Sequence, residues 1–262
     1  MKNTLSRRHF LKNLFIGGTL SPLLLNNIGF ITETPDKPLE LAEIADLSRK
    51  SMDDEKFWEM VRMQFPLTHE RYYFNTSGLG ASPRIVLDTI YDEMLELETI
   101  SETGQEKVKT VTEKIAKFFN VAPEEIAITR NTTEGMNIFV REIPLSRGDE
   151  VLLCTHEHPG GAIPWLAVMK DKGIKINLFE PDYKTGRKNL EIIEKHLTRK
   201  TKVVSIDHIP CTTGTVFPAK EIVRLCRSQG IIIGIDGAHP PGQMPVDLAD
   251  IDPDFYACSG HK

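Results

Sequence analysis

Cysteine is scarce in this sequence, with four in 262 residues. Cys154, Cys211, Cys226 and Cys258 form no C-x-x-C pair, so neither a zinc ribbon nor a disulfide framework is expected. Cys154 and Cys258 close apolar runs and are expected in the core. Basic charge is not in excess: 32 Lys and Arg face 37 Asp and Glu, for a net charge of -5. That argues against a basic face for nucleic acid. Internal repeats and low-complexity segments are lacking too, which excludes a solenoid. The apolar, glycine-containing stretch from Leu14 to Leu25 is too short for a membrane span.

What is present begins at the N-terminus. Ser6-Arg7-Arg8-His9-Phe10-Leu11-Lys12 precedes that apolar stretch, the order of a charged region and a short hydrophobic region in an export signal. The paired arginines followed by Phe and Leu resemble the twin-arginine signal. The resemblance implies export by the twin-arginine (Tat) machinery. No A-x-A cleavage site follows, so the protein is expected in the periplasm or anchored in the membrane facing it.

The apolar share of 40% is enough for a globular core. Residues 31–70 are mixed and polar, a linker and N-terminal arm with a helix near Asp53–Gln64. Residues 71–262 form the main domain. Ser82-Pro83 pairs an N-cap with proline at the first helical position, predicting a helix to about Ile100. A second helix follows over Glu106–Phe119.

Beyond it, strands and helices alternate. Strands are expected at Glu125–Thr129, Glu150–Cys154, Ile174–Phe179, Lys202–Ile206, Ile231–Ile235 and Asp254–Cys258. Helices are expected from Asn131/Thr132 to Val140, and at Gly161–Asp171, Leu190–His196 and Ala219–Ser228, the last closed by Gly230. Runs such as Val203-Val204 and Ile231-Ile232-Ile233 do not alternate with polar residues, as in strands buried on both faces of a parallel sheet. The fold class is therefore α/β, a three-layer α/β/α domain with a mostly parallel sheet.

In such sheets ligands sit at the carboxyl ends of the strands. Thr132/Thr133, His156/His158, His208–Thr213, Asp236–His239 and Ser259–Lys262 all follow predicted strands and converge on one edge. Asp236 ends an apolar strand, where a carboxylate is costly without a cationic partner. A pyridinium nitrogen would supply one; a turn or helix cap is the simpler alternative. Asn131-Thr132-Thr133-Glu134-Gly135 opens a helix with hydroxyls and free N–H groups, either an anion site or an ordinary N-cap. His158 could stack on a flat ring or relay protons, or be a plain loop residue. Lys262 follows a small-residue turn, where a desolvated amine becomes nucleophilic. Ser259 and His261 offer a hydroxyl and an imidazole to a phosphate, and Gly260 permits close approach.

Asn131-Thr132-Thr133-Glu134-Gly135-Met136-Asn137, Glu157-His158 with Pro164-Trp165, Asp236-Gly237-Ala238-His239 and Ser259-Gly260-His261-Lys262 together resemble the class V aminotransferase family. These are fold-type I enzymes dependent on pyridoxal 5'-phosphate (PLP). They include cysteine desulfurases, selenocysteine lyases and isopenicillin-N-epimerase-like proteins. The resemblance covers about Tyr72 to Lys262. It implies that Lys262 holds PLP as a Schiff base and shuttles the substrate Cα proton, that Asp236 pairs with the pyridine nitrogen, and that His158 stacks on the ring. Thr133, Ser259 and His261 would hold the phosphate, with Thr132 helping through its backbone.

Two departures stand out. His239 takes the place of the glutamine that desulfurases set beside the ring hydroxyl, as in the epimerase-like branch. Cys211 stands where they carry an asparagine, and it does not correspond to their nucleophile, which lies further toward the C-terminus. The expected activity is therefore Cα deprotonation of an amino acid or amine, of epimerase, lyase or aminotransferase type. A cysteine desulfurase or selenocysteine lyase, and a non-catalytic binding module of the same fold, are the alternatives. Twin-arginine export, known for carrying folded proteins, fits an enzyme that loads PLP first. Family members continue past the lysine into a small C-terminal domain and are usually homodimers. The sequence is thus expected to be a fragment of a longer chain, inactive alone.

Overall fold

The computed structural model describes residues 54–262 other than 69 and 71. The twin-arginine segment, and residues 31–53 of the expected linker, lie outside the described residues. The chain divides into two compact units, residues 1–72 with 83–86, and residues 73–82 with 87–262. In the first, helix α1 spans Asp54–Met63, and the Arg84 N–H donates to the Gln64 carbonyl at 2.7 Å.

The larger unit carries most of α2 (Arg84–Ile100), then α3 (Gln105–Phe119) and a 3-10 turn at Pro123–Glu125. After α4 (Thr132–Glu142), strands and helices alternate: β1 (Glu150–Cys154), α5 (Pro159–Lys172), β2 (Lys175–Phe179), α6 (Lys188–His196), β3 (Thr201–Asp207), α7 (Ala219–Ser228) and β4 (Ile232–Asp236). A short α8 (Leu248–Ile251) precedes β5 (Phe255–Ala257). Gly230 follows α7 with φ 66°, a left-handed conformation that only glycine adopts without strain.

The strands form one parallel sheet in the order β2-β1-β3-β4-β5. Their side chains alternate between two cores. Leu152 of β1, Val204 and Ile206 of β3 and Ile233 and Ile235 of β4 pack with Ile193 of α6 and Ile222, Val223 and Cys226 of α7. Val151 and Leu153 of β1 and Val203 of β3 face Met136, Phe139 and Val140 of α4 and Trp165 and Val168 of α5. Both faces are thus covered by helices, which is why these strands read as continuous apolar runs. This is the three-layer α/β/α arrangement expected.

The order doubles back between β1 and β3, because β2 lies outside β1 on one side while β4 and β5 extend the other way. Loops leaving neighbouring strands in opposite directions open a crevice there.

Two expectations need correction. Glu125–Thr129 forms no strand: Glu125 ends the 3-10 turn, and Ile126 is extended (φ -101°, ψ 124°) without a ladder partner. A strand exists through hydrogen bonds to a neighbour. Here a groove of about 1350 Å³ is lined by residues 125–129 and by β5, and no described strand fills it. Cys258 is only half-buried, since it follows the sheet's edge strand; the buried thiols are Cys154 and Cys226. Burial pushes both of these up to about 12, so they act as apolar side chains.

Candidate functional site

The carboxyl ends of β1, β3 and β4 deliver the polar residues. After β1, residues 155–158 turn into α5, with His158 as the N-cap and Pro159 as the first helical residue. His158 Nδ1 accepts from the Gly160 N–H at 3.1 Å, so its ring is pinned above the helix start. Its backbone N–H donates to Asp207 Oδ2, across the switch point, at 3.2 Å.

The start of α4 lies beside this turn. Asn131 caps α4 by accepting from the Glu134 N–H at 2.9 Å. The next residue, Thr132, is buried, and its N–H and hydroxyl meet Ser259 Oγ at 3.2 and 2.6 Å. Thr133 is exposed at the same helix start. A methyl on Gly160 would stand 2.5 Å from Thr133 Oγ1 and 3.0 Å from His158 Nδ1, so those groups crowd one spot. Two helix N-termini, two threonines and a serine thus lie together, the kinds of donor that anions take elsewhere.

Asp236 ends β4 and is 5% exposed. Its Oδ1 accepts from the Ala238 N–H at 3.0 Å. Burial raises its pKa, while the Ala238 N–H and the charges of His158 and Lys262 oppose the rise. A methyl on Gly161 would lie 3.7 Å from Asp236 Oδ2, so this oxygen faces the start of α5. His239 is buried and held toward the neutral form by burial and by the charges of Lys262 and His158.

The structure therefore brings together Thr132, Thr133, His158, Asp236, His239 and Ser259. Lys262 is half-buried and acts electrostatically on Asp236, Asp207 and His239. His261 is not brought in. It is exposed, and no hydrogen bond among the described residues ties its ring to Thr132 or Ser259. Its carbonyl instead packs on Gly80, where a Cβ would stand 2.0 Å from the oxygen. Cys211 is exposed in the loop after β3. Among the described residues no cluster of His, Cys, Asp and Glu is arranged to hold a metal.

Sequence reasoning quoted Glu157 only within the Glu157-His158 motif, with no role, and passed over Asp207. Glu157 Oε1 accepts the Asp207 N–H at 3.0 Å, and Glu157 Oε2 and Asp207 Oδ1 are sealed from solvent without a partner. The signal was available: Asp207 ends an apolar strand just as Asp236 does. The two are register partners on β3 and β4. His208, next in line, pairs its Nδ1 with the Tyr256 hydroxyl at 3.0 Å, and burial lowers it to about 4.

Parallel strands under two helical layers, with polar side chains gathered at their carboxyl ends, define a class: three-layer α/β domains whose strand ends form the site. Comparison with known proteins narrows it. The aminotransferase class-V family model matches residues 88–262, and the chain belongs to that family. It is 28% identical over 214 residues to a probable cysteine desulfurase of Pyrococcus abyssi, covering 78% of this chain and 53% of that protein. With a probable cysteine desulfurase of Halalkalibacterium halodurans it shares 35% over 170 residues, 63% and 41% of the two lengths. Among solved structures it resembles the cystine C-S lyase C-DES, with TM-score 0.71 and 31% identity over 76% of this chain and 55% of that one. A lysine-to-alanine mutant of C-DES has also been solved with glycine covalently linked to its PLP cofactor. The chain spans about half the length of the curated relatives it matches.

Proposed function

We propose that this chain is the cofactor-binding part of a PLP-dependent enzyme that acts on an amino acid or amine by removing the Cα proton. The observation that carries this reading is Asp236, a carboxylate buried at a strand end beside the Thr132–Ser259 cradle. A buried acid with one free oxygen calls for a cation, and the ring nitrogen of PLP provides one where a phosphate can also reach the cradle. The residues present fit the cofactor.

When bound, PLP supplies an electron sink for negative charge at Cα. The protein's residues do the rest. Asp236 would keep the ring nitrogen protonated. The Thr132 N–H and the Thr133 and Ser259 hydroxyls would hold the phosphate, and His158 would lie against the ring. His239 stands on the Asp236 loop for the ring's substituents. Lys262 Nζ anchors the cofactor and moves the proton at Cα. His261 serves the phosphate only if its ring turns in from the exposed position it holds here.

A second reading, sulfur release from cysteine or cystine, is favoured by the relatives, which are named cysteine desulfurases and a cystine C-S lyase. Against it stand His239 and the exposed Cys211. We further propose export through the twin-arginine machinery, with the protein periplasmic or membrane-anchored facing the periplasm, and a homodimer as the assembled state.

The test is to add PLP, reduce with borohydride and map the modified residue by mass spectrometry. Modification at Lys262, lost in Lys262→Ala, is expected; a reducible adduct that survives in Lys262→Ala overturns the assignment. In the loaded protein, deuterium incorporation at Cα of amino acids without sulfide formation supports the first reading, and sulfide from cysteine or cystine the second.

A further inference from the structure

The acids at the ends of β1, β3 and β4 outnumber what one cofactor nitrogen can use. Glu157 and Asp207 each spend one oxygen on a backbone N–H, of Asp207 and of His158 respectively. Each keeps a second oxygen, Glu157 Oε2 and Asp207 Oδ1, sealed from solvent and unpartnered. Glu157 takes the N–H of Asp207 itself, so the two acids are neighbours at the ends of adjacent strands. A methyl on Gly161 would be 3.5 Å from Glu157 Oε2 and 3.7 Å from Asp236 Oδ2, so the third carboxylate borders the same small space. Three ionised carboxylates there would repel one another with little water to screen them.

We propose that Glu157 and Asp207 share one proton, so that the pair carries a single charge, braces the turn presenting His158 and leaves Asp236 free to stay ionised. Resting on the PLP reading, this makes Glu157 and Asp207 positioning residues. The proton sits on Glu157 and is donated to Asp207. Glu157 is pushed well up by burial and then by the Asp207 charge. Asp207 is also pushed up, by burial and the Asp236 charge, but the hydrogen bond from Glu157, the His158 N–H and the Lys262 charge pull the other way. The charged and titratable groups facing the pair are therefore Asp236 on β4, His158 in the turn and Lys262, with Cys154 at the end of β1 and Glu180 after β2 further out. The shared proton leaves the turn held by the same N–H bonds with one buried charge fewer beside Asp236.

Two measurements on the full chain test this. With carbon-13 at the glutamate carboxyl and no cofactor, the Glu157 resonance should keep the shift of a protonated acid through neutral pH. In Asp207→Asn, which removes the neighbouring charge and leaves burial in place, Glu157 should ionise at a lower pH than in the wild type. A wild-type Glu157 that titrates like an exposed glutamate overturns the proposal. In PLP titrations, Glu157→Ala should weaken affinity at least about tenfold, and Glu157→Gln, a neutral donor of similar shape, should restore it to within about threefold. Equal losses in both variants also overturn it. If the wild-type chain bound no PLP, the cofactor reading would fall, while the carboxyl resonance would still decide whether the proton is shared.

Discussion

A buried ionisable side chain reports its surroundings through the pH at which the fold loosens. His208 is 3% exposed and held neutral by burial, with its pKa near 4 rather than 6.5. Its folded value lies below its unfolded one, so the unfolded chain takes up the proton first. Its contribution is complete above about pH 6.5 and is lost as pH falls toward 4, up to about 3 kcal/mol. The Glu157–Asp207 pair works in the opposite sense. Its acids are raised, so they favour the fold at low pH and lose that contribution as pH rises. The expected outcome is that His208→Asn unfolds with a shallower acid-side loss of stability than the wild type. Thermal melts of both across the mildly acidic range check it, and parallel curves would show that His208 is not the group responsible.

Between elements, the site depends on how closely α4 seats against β4. Gly234, in the middle of β4, has no side chain because Phe139 of α4 occupies its place; a Cβ there would stand 2.1 Å from Phe139 Cε1. Phe139 cannot yield freely, since it stacks on Phe255 at 4.9 Å and meets Trp165 edge-on at 5.9 Å. Gly234→Ala should therefore cost about 1–3 kcal/mol, as overpacking of a dense core does. Chemical denaturation measures it, and a loss below about 0.5 kcal/mol would mean that α4 shifts outward at little expense. Because α4 carries Thr132, such a shift should also loosen the Thr132–Ser259 contact.

The elements themselves were largely legible. β1, β3, β4, α4, α5 and α7 lie within a few residues of where apolar runs, N-caps and Gly230 placed them. The miss at Glu125–Thr129 is of another kind. Its alternating Ile126 and Ile128 suit a strand, but pairing needs a neighbour, and periodicity carries no information about who that is. Cys258 was misplaced for a related reason, since an apolar run does not say whether its strand is central or at the edge.

For the whole molecule, the N-terminal signal makes a claim separate from the fold. If Arg7-Arg8 directs the protein to the twin-arginine machinery, replacing both with lysine should retain it in the cytoplasm, while PLP binding by the purified protein stays unchanged. Cell fractionation of the two forms checks this, and equal export would exclude that route. The family relationship covers residues 88–262 and leaves this N-terminal claim independent.

Local order and residue type were enough to determine which side chains end the buried strands and where the helices start, and hence that His158, Asp236 and Ser259 would share one sheet edge. Thr132 joins them through its contact with Ser259, since no strand precedes it. Strand periodicity and capping are near-neighbour physics, written into consecutive residues. Strand order was not written there, and with it came the pairing of β1 with β3 that sets Glu157 against Asp207. Whether a carboxyl group keeps its proton depends on the charges and solvent around it in space. Only the tertiary structure could place three acids around one small volume, and could turn His261 outward while Ser259 faced in.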